Sequence, residues 1–221
     1  VPVALIGTFA VMLALGFSTS GLIAPVASGF LIDSVGHRVT FAIVFVLLAA
    51  SFTLLLSQRR RMPVHQPHRP EGEARDTFEL LRHPEVRAVL VVSGMISMAW
   101  DLQSFLIPVY GTSIGLSASQ IGLVLGSFAA ATFIIRLAMP ALARHYHEWQ
   151  VLVFTLLASA VAFGLMPLFH SMGPLMAVAF LLGLGLGSAQ PNVMSLLHDR
   201  TPAGRVGEAL GLRSTIMNSS H

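Results

Sequence analysis

Residues 149–168 read WQVLVFTLLASAVAFGLMPL and contain no charged side chain. A helix that crosses the hydrocarbon core of a bilayer needs about 20 mostly apolar residues, so this stretch is long enough for one crossing. The complete spans are predicted at roughly 8–32, 39–57, 87–109, 118–143, 149–168 and 173–197. A further amphipathic stretch starts near Arg205. The pattern predicts an all-α, polytopic transmembrane helix bundle with about six complete spans and a partial seventh.

The composition excludes several other classes of protein. The 221 residues are 54% hydrophobic and 10% charged, whereas globular proteins average about 45–50% and about 25%. The chain has no cysteine, which excludes a disulfide scaffold or a zinc–cysteine module. Net charge is only +3 and every base is an arginine, placed mostly in loops, so no nucleic acid partner is expected. The nine histidines lack clustered carboxylates, and we expect no metal and no cofactor.

One segment differs in composition from the apolar stretches. Residues 58–84, QRRRMPVHQPHRPEGEARDTFELLRHP, are rich in proline and charge, which predicts a solvated loop. Within it, Asp76 and Glu79 fit a variant of the capping box before a short helix. Pro84 stands where the first turn of the next helix tolerates proline. Because the chain begins with Val1 and stops at His221 within the amphipathic stretch, we expect it to be an internal part of a longer protein.

The arginines predict the orientation in the membrane. Loops rich in arginine stay on the cytoplasmic side. Six spans place eleven arginines on one face and Arg38 alone on the other, with Arg136 slightly deeper on the arginine-rich side. The long loop is therefore predicted to be cytoplasmic. The eleven are Arg59, Arg60, Arg61, Arg69, Arg75, Arg82, Arg87, Arg144, Arg200, Arg205 and Arg213.

Three regions together resemble the Major Facilitator Superfamily of transporters. Residues 20–41, SGLIAPVASGFLIDSVGHRVTF, are similar to the signature of its fifth helix, a small-residue pattern around a proline. The long basic loop resembles the linker between the two six-helix halves. Residues 183–212, GLGLGSAQPNVMSLLHDRTPAGRVGEALGL, resemble a tenth helix, its loop and the start of an eleventh. In the first region the matching residues are Ser20, Ala24, Pro25, Ser28, Gly29 and Arg38.

The resemblance implies a domain organisation. Residues 1–57 would be the last two helices of the N-terminal half, 58–84 the central loop, and 85–221 four helices and the start of a fifth in the C-terminal half. A rival alignment places Gly29, Asp33, Gly36 and Arg38 on the family's loop 2–3 signature, but it would put the arginine-rich loop outside. The corresponding signature of loop 8–9 is altered, with Pro140 and Arg144 in place of a glycine and an acid.

The small residues of the first span are candidates for packing and gating. Ser20, Ala24 and Ser28 recur every four residues, so a neighbouring backbone could approach that helix face closely. Pro25 removes one intrahelical hydrogen bond and provides a bend that could act as a pivot. The resemblance implies that in exporters this helix also seals the cavity against leak. Similar pairs of small residues are Gly122/Gly126 and Gly183/Gly187.

Asp101 lies past the middle of an apolar span, in VVSGMISMAWDLQSFLIPVYG (91–111). A carboxylate in hydrocarbon is expensive and normally faces a cavity or a partner. Ser97, Asp101 and Ser104 follow helical spacing and form a polar stripe, which suits a proton-coupling or cation-recognising group. The alternative is a structural hydrogen-bond network. Arg136 lies inside another span and could pair with Asp101, contact solute, or extend to the interface.

Gln190 and Asn192 flank Pro191 in the sixth span. Transporter binding sites often use such interrupted helices. The two amides point about 200° apart around the helix, so we expect only one to face a cavity, and the sequence does not decide which.

The leading hypothesis is a secondary active transporter of a small solute, coupled to protons and working by alternating access. Drug or metabolite efflux fits this hypothesis. Its partners would be the solute, protons, the bilayer and the N-terminal half of the same protein, in a prokaryotic inner membrane. The alternatives are a multispan membrane enzyme that acts on lipid-linked substrates and a non-transporting protein of the same fold that serves as a partner or receptor.

Overall fold

The computed structural model describes residues 3–58, 82–142, 144–201 and 205–218. The described residues are almost entirely helical, as the sequence predicts. Five helices are long and apolar enough to cross a membrane, and a short sixth follows them. The helices are α1 (Val3–Gln58), α2 (Pro84–Ser113), α3 (Ala118–Leu142), α4 (Glu148–Leu165), α5 (Met172–Arg200) and α6 (Val206–Asn218), with a 3-10 turn at Met166–Leu168.

The first two predicted spans are separated by a break at Gly36. A loop over 33–38 was expected between spans 8–32 and 39–57, and the break falls within that range but takes a single residue. Only Gly36 leaves helical geometry within Val3–Gln58, with φ 81° and ψ 166°. Glycine adopts a positive φ without steric penalty, so one residue is enough to break the helix. The apolar part, Thr19–Leu54, has 36 residues, and the break divides it into two helical segments of about 26 Å each, close to the bilayer core of about 30 Å.

The remaining helix boundaries lie within a few residues of those predicted. Pro84 stands in the first turn of α2, as expected. Helix α3 begins with a reciprocal cap, because the Ser117 hydroxyl accepts from the Gln120 amide at 3.3 Å and the Gln120 side chain accepts from the Ser117 amide at 2.9 Å. The short helix predicted after Asp76 lies outside the described residues, and the domain division at 58–84 stays a prediction.

Helix α5 is the most buried helix and forms the centre of the bundle. It packs mainly on α3 and α4, and its approach to α3 depends on the pair Gly183 and Gly187. A Cβ at Gly183 would collide with the Phe128 carbonyl, and one at Gly187 would lie 2.8 Å from the Cα of Thr132. The Thr132 hydroxyl donates to the carbonyls of Phe128 and Gly183, at 3.0 and 3.3 Å. The close packing predicted for this glycine pair is therefore confirmed.

Helix α1 meets α3 through small residues on both sides. A Cβ at Gly122 would lie 2.5 Å from the Pro25 carbonyl, and one at Gly29 would collide with the Ala118 carbonyl. Ser20 and Ala24 are exposed in the described part of the chain and Ser28 is partly buried, so the close packing predicted for that face stays a prediction. The contact face is turned toward Pro25 and Gly29, because α3 approaches from that side.

Asp33 ties the two helices together at the start of α3. Its Oδ1 accepts from the backbone amide of Ala118 at 3.2 Å, and its Oδ2 accepts from that of Ser119 at 2.8 Å. The first amides of a helix have no intrahelical partner, and a carboxylate there also opposes the positive end of the helix dipole. A side chain of α1 thus caps a helix that begins 85 residues later.

Candidate functional site

A cavity of about 240 Å³ lies where α1, α2 and α3 meet. Its wall is mostly apolar, with a few polar side chains from α2 and α3. The lining residues are Gly21 and Pro25 from α1, Trp100, Gln103 and Ser104 from α2, and Leu125, Phe128, Ala129, Thr132 and Arg136 from α3. An apolar wall with a few convergent polar groups is typical of a small-molecule site.

Trp100 is the main aromatic residue of this cavity. Its ring stands edge-on to Phe128, with centroids 5.2 Å apart and an interplanar angle of 87°. The indole Nε1 is buried, and within the described residues it has no hydrogen-bond acceptor. A buried donor without an acceptor is costly, so this N–H is available to a ligand that supplies one. Trp100 could not be singled out from the sequence, because its indole lies within an apolar run.

Gln103 is a second residue that the sequence analysis missed. It is only 3% exposed, and its Oε1 accepts from the Ser104 hydroxyl at 3.2 Å. That hydroxyl also donates to the Trp100 carbonyl at 3.0 Å. The signal that singled out Gln190 and Asn192, an amide inside an apolar span, applies equally to Gln103.

The structure divides the predicted polar stripe of α2. Ser104 lines the cavity, whereas Ser97 is buried in the packing of the bundle. Asp101 is partly buried, with one carboxylate oxygen fully covered, and it follows Trp100 directly in the sequence. Asp101 therefore lies beside the cavity residues without belonging to the wall itself.

Arg136 is partly buried and lines the cavity. It stands eight residues after Phe128 in α3, about 12 Å further along the helix axis. Arg136 is therefore well separated along the axis from the Trp100–Phe128 pair. The predicted approach of Arg136 to Asp101 stays a prediction.

The two amides of α5 occupy different environments. Asn192 is 6% exposed, and its Nδ2 donates to the Ser188 carbonyl of its own helix at 2.6 Å. The side chain of Ser188 instead contacts α4, where its hydroxyl lies 3.2 Å from that of Thr155. Gln190 is exposed, on the same face as the exposed Met194. Of the two, Gln190 is exposed and Asn192 is buried.

The residues carried over from the fifth-helix signature have separate positions. Pro25 lines the cavity, and the Ser28 hydroxyl donates to its carbonyl at 3.0 Å. Gly29 lies in the contact with α3, and Arg38 is exposed beyond the break at Gly36. Among the described residues no three side chains of the metal-binding types come together.

Two larger crevices lie elsewhere in the bundle. One of about 390 Å³ between α3, α4 and α5 includes Tyr146 and Gln150, and one of about 430 Å³ lies between α2, α4 and α5. The latter has the ion pair of Arg200 with Glu85, at 2.8 Å, in its wall. Neither crevice contains the residues that the sequence singled out inside the spans.

The family model of the Major Facilitator Superfamily matches residues 2–221, which is nearly the whole chain. The chain belongs to the Major Facilitator Superfamily. This membership confirms the resemblance inferred from the fifth- and tenth-helix patterns. It also confirms the prediction that the chain is not an enzyme, and the multispan enzyme is thereby excluded.

Two bacterial relatives from this superfamily are similar to the chain. The multidrug resistance protein MdtG of Klebsiella pneumoniae is 28% identical over 196 residues, which cover 84% of this chain and 46% of that protein. The quinolone resistance protein NorA of Staphylococcus aureus is 27% identical over 113 residues, covering 51% of this chain and 29% of NorA. The chain thus spans less than half the length of these curated relatives. No solved structure matches it.

Superfamily membership and the apolar helices together give the location. The chain is a multi-pass membrane protein, and its bacterial relatives indicate the plasma membrane. The large apolar side chains exposed on the second part of α1, such as Phe41, Phe45 and Phe52, are then in an apolar solvent rather than in water.

Proposed function

We propose that this protein is a secondary transporter that moves small organic solutes across the plasma membrane by alternating access, with efflux of drugs or metabolites as its activity. The observation that supports this most directly is the cavity between α1, α2 and α3, where a buried indole N–H has no acceptor among the described residues. Two relatives are named for multidrug and quinolone resistance, which agrees with this proposal.

The size of the cavity fits one state of an alternating-access cycle. Ligand pockets typically measure about 300–1,000 Å³, and this cavity holds about 240 Å³. A drug-sized solute would enter only after α1 moves away from α3. The contact between α1 and α3 is made by small residues and one capping carboxylate. The two helices can therefore separate without moving large side chains out of a packed interface.

Each polar residue has a proposed role. Trp100 provides an aromatic surface and a donor, and Arg136 provides a positive charge at a distance along the cavity. Gln190 is the α5 amide that contacts solute, because Asn192 is held by its own helix. Asp101, beside the cavity, carries the proton that couples transport to the pH gradient. The central loop at 58–84 is cytoplasmic.

The two tryptophans of the chain allow a direct test of the cavity. With Trp149→Phe, the emission of Trp100 reports on this cavity, whereas with Trp100→Phe the exposed Trp149 reports on the surface. We expect a carbonyl-bearing aromatic dye to quench the Trp149→Phe protein on binding and to leave the Trp100→Phe protein almost unquenched. Loss of the indole N–H in Trp100→Phe should also weaken binding about two- to tenfold, the value of one net hydrogen bond.

The same two variants serve as each other's control in a transport assay. Proteoliposomes with an imposed pH gradient should accumulate the dye at the parental rate with Trp149→Phe and more slowly with Trp100→Phe. Equal quenching of the two variants would show that solute does not bind at Trp100. Binding without accumulation in the parent protein would favour a receptor or partner role.

The orientation is tested separately by cysteine labelling, since the chain has no native cysteine. We expect Gln66→Cys, in the arginine-rich loop, to stay unlabelled when intact cells are treated with an impermeant maleimide, and to react in inverted vesicles. A cysteine at Thr112 should give the opposite pattern. Labelling of residue 66 from outside would reverse the assigned topology.

A further inference from the structure

Arg213 is a buried arginine in the middle of α6. It is 6% exposed, and its Nε donates to the Ser93 hydroxyl of α2 at 2.8 Å. One terminal nitrogen lies 3.9 Å from the Met194 sulfur of α5. Both contacts are with neutral groups, and among the described residues no carboxylate contacts this guanidinium.

Arg205, which directly precedes α6, is a buried arginine whose charge is compensated by a carboxylate. It is 8% exposed, and its Nε and one terminal nitrogen donate to the Glu208 carboxylate at 2.9 and 2.8 Å. Other described carboxylates hold their own partners, since Glu85 pairs with Arg200 and Glu148 accepts from Ser195. The two arginines are equally buried and differ in charge compensation.

The surroundings of Arg213 place its charged end next to an accessible surface. Met194, which it contacts, is 42% exposed and shares its helix face with the exposed Gln190. Ser93 and Trp100 lie two turns apart on one side of α2, about 10 Å along its axis. A group bound at Ser93 and Arg213 would therefore lie about 10 Å along α2 from Trp100.

A buried cation without a counter-charge is expensive inside a membrane protein, and such residues are usually functional. Arginine forms bidentate, charge-assisted hydrogen bonds with carboxylates. We infer that Arg213, held by Ser93, binds the carboxylate of an organic anion or zwitterion, at a position separate from the α1–α2–α3 cavity. The inference rests on the proposed function and names the class of substrate that is transported.

Binding of a matched pair of probes tests this inference. The probes are 1-pyrenebutyrate and its methyl ester, which differ in the charge of one group. The protein is the full-length chain reconstituted in lipid nanodiscs. The parent should bind the acid more tightly than the ester, and Arg213→Gln should remove that preference, a loss of roughly ten- to a hundredfold in affinity for the acid alone. Arg213→Lys should retain part of it, because the charge stays but the planar fork is lost.

Arg205→Gln is the matched control, since it removes an equally buried arginine that already has a carboxylate. It should leave the ratio of the two affinities unchanged. If Arg213→Gln does not yield monodisperse protein, Ser93→Ala replaces it and should weaken binding of the acid but not of the ester.

Two results would overturn the inference. One is a parent protein that binds acid and ester equally, as expected if an acidic side chain of the protein already neutralises Arg213. The other is an Arg213→Gln protein that keeps the preference for the acid. Because the readout is equilibrium binding, a protein that binds the acid through Arg213 but transports nothing would contradict the proposed function alone.

Discussion

Asp101→Asn is expected to abolish solute accumulation driven by a pH gradient while leaving solute binding largely intact. Asp101 lies within the span Pro84–Ser113, is partly buried, and has one carboxylate oxygen fully covered. Asparagine keeps the shape and polarity of the side chain but cannot exchange a proton. If proton release from Asp101 accompanies the conformational change, its removal uncouples the solute from the gradient without altering the walls of the cavity.

The measurement compares two modes of transport in proteoliposomes. Uphill accumulation with an imposed pH gradient should fall to background in Asp101→Asn, whereas exchange of labelled for unlabelled solute should continue. Asp199→Asn, which removes an exposed carboxylate near the end of α5, is the control and should behave as the parent does. Accumulation by Asp101→Asn at the parental level would show that Asp101 is structural.

Gly183→Leu is expected to lower the stability of the folded protein substantially. Even a Cβ at this position would collide with the Phe128 carbonyl and lie 2.9 Å from the Cβ of Ala131. The first of these atoms is backbone and cannot turn aside, so α3 and α5 would have to separate at the centre of the bundle. Overpacking costs up to about 3 kcal/mol in ordinary cores, a large part of a typical stability of about 5–15 kcal/mol.

The yield of monodisperse protein and its melting temperature are the readouts for this variant. Gly173→Leu is the control, because that glycine lies in the first turn of the same helix with no atom near the added Cβ. It should give the parental yield. A Gly183→Leu protein with the parental melting temperature would show that α3 and α5 are not in close contact in the membrane.

The positions of the helices could be predicted from the sequence because the length of an apolar run is set by the thickness of the bilayer. The ends of α2, α3 and α5 follow from local signals such as Pro84 and the turn before Ala118. The break in α1 lies within the predicted connection at 33–38, but its form could not be predicted, because one glycine is enough to interrupt a helix where a loop of six residues was expected.

The faces of the helices were harder to predict than their ends. In α1, the residues Ser20, Ala24 and Ser28 recur every four positions, and so do Pro25 and Gly29. Either set could form a packing face, and only the position of α3 shows that Pro25 and Gly29 make the contact. Similarly, Gln190 and Asn192 are both amides beside a proline. Only the packing of α5 within the bundle decides that Asn192 is buried and Gln190 exposed.

The polar residues of the candidate site could be predicted from the sequence, whereas its aromatic residue could not. Arg136 and Ser104 were singled out as polar residues in apolar spans, and both line the cavity. Trp100 was hidden because its ring is apolar and its N–H is visible only once the absence of a nearby acceptor is known. Hydrophobic pattern alone does not distinguish a packed indole from one that is free to bind.

The cap that Asp33 places on α3 also affects how freely the segment between α1 and α2 can vary. Because α1 is held against α3 by direct contacts at Gly29, Gly122 and Asp33, the intervening chain does not have to hold it there. The entropic cost of closing a flexible loop grows only with the logarithm of its length. Residues 59–81 could therefore lengthen, shorten or acquire new modification sites during evolution while the helices on either side keep their relative positions.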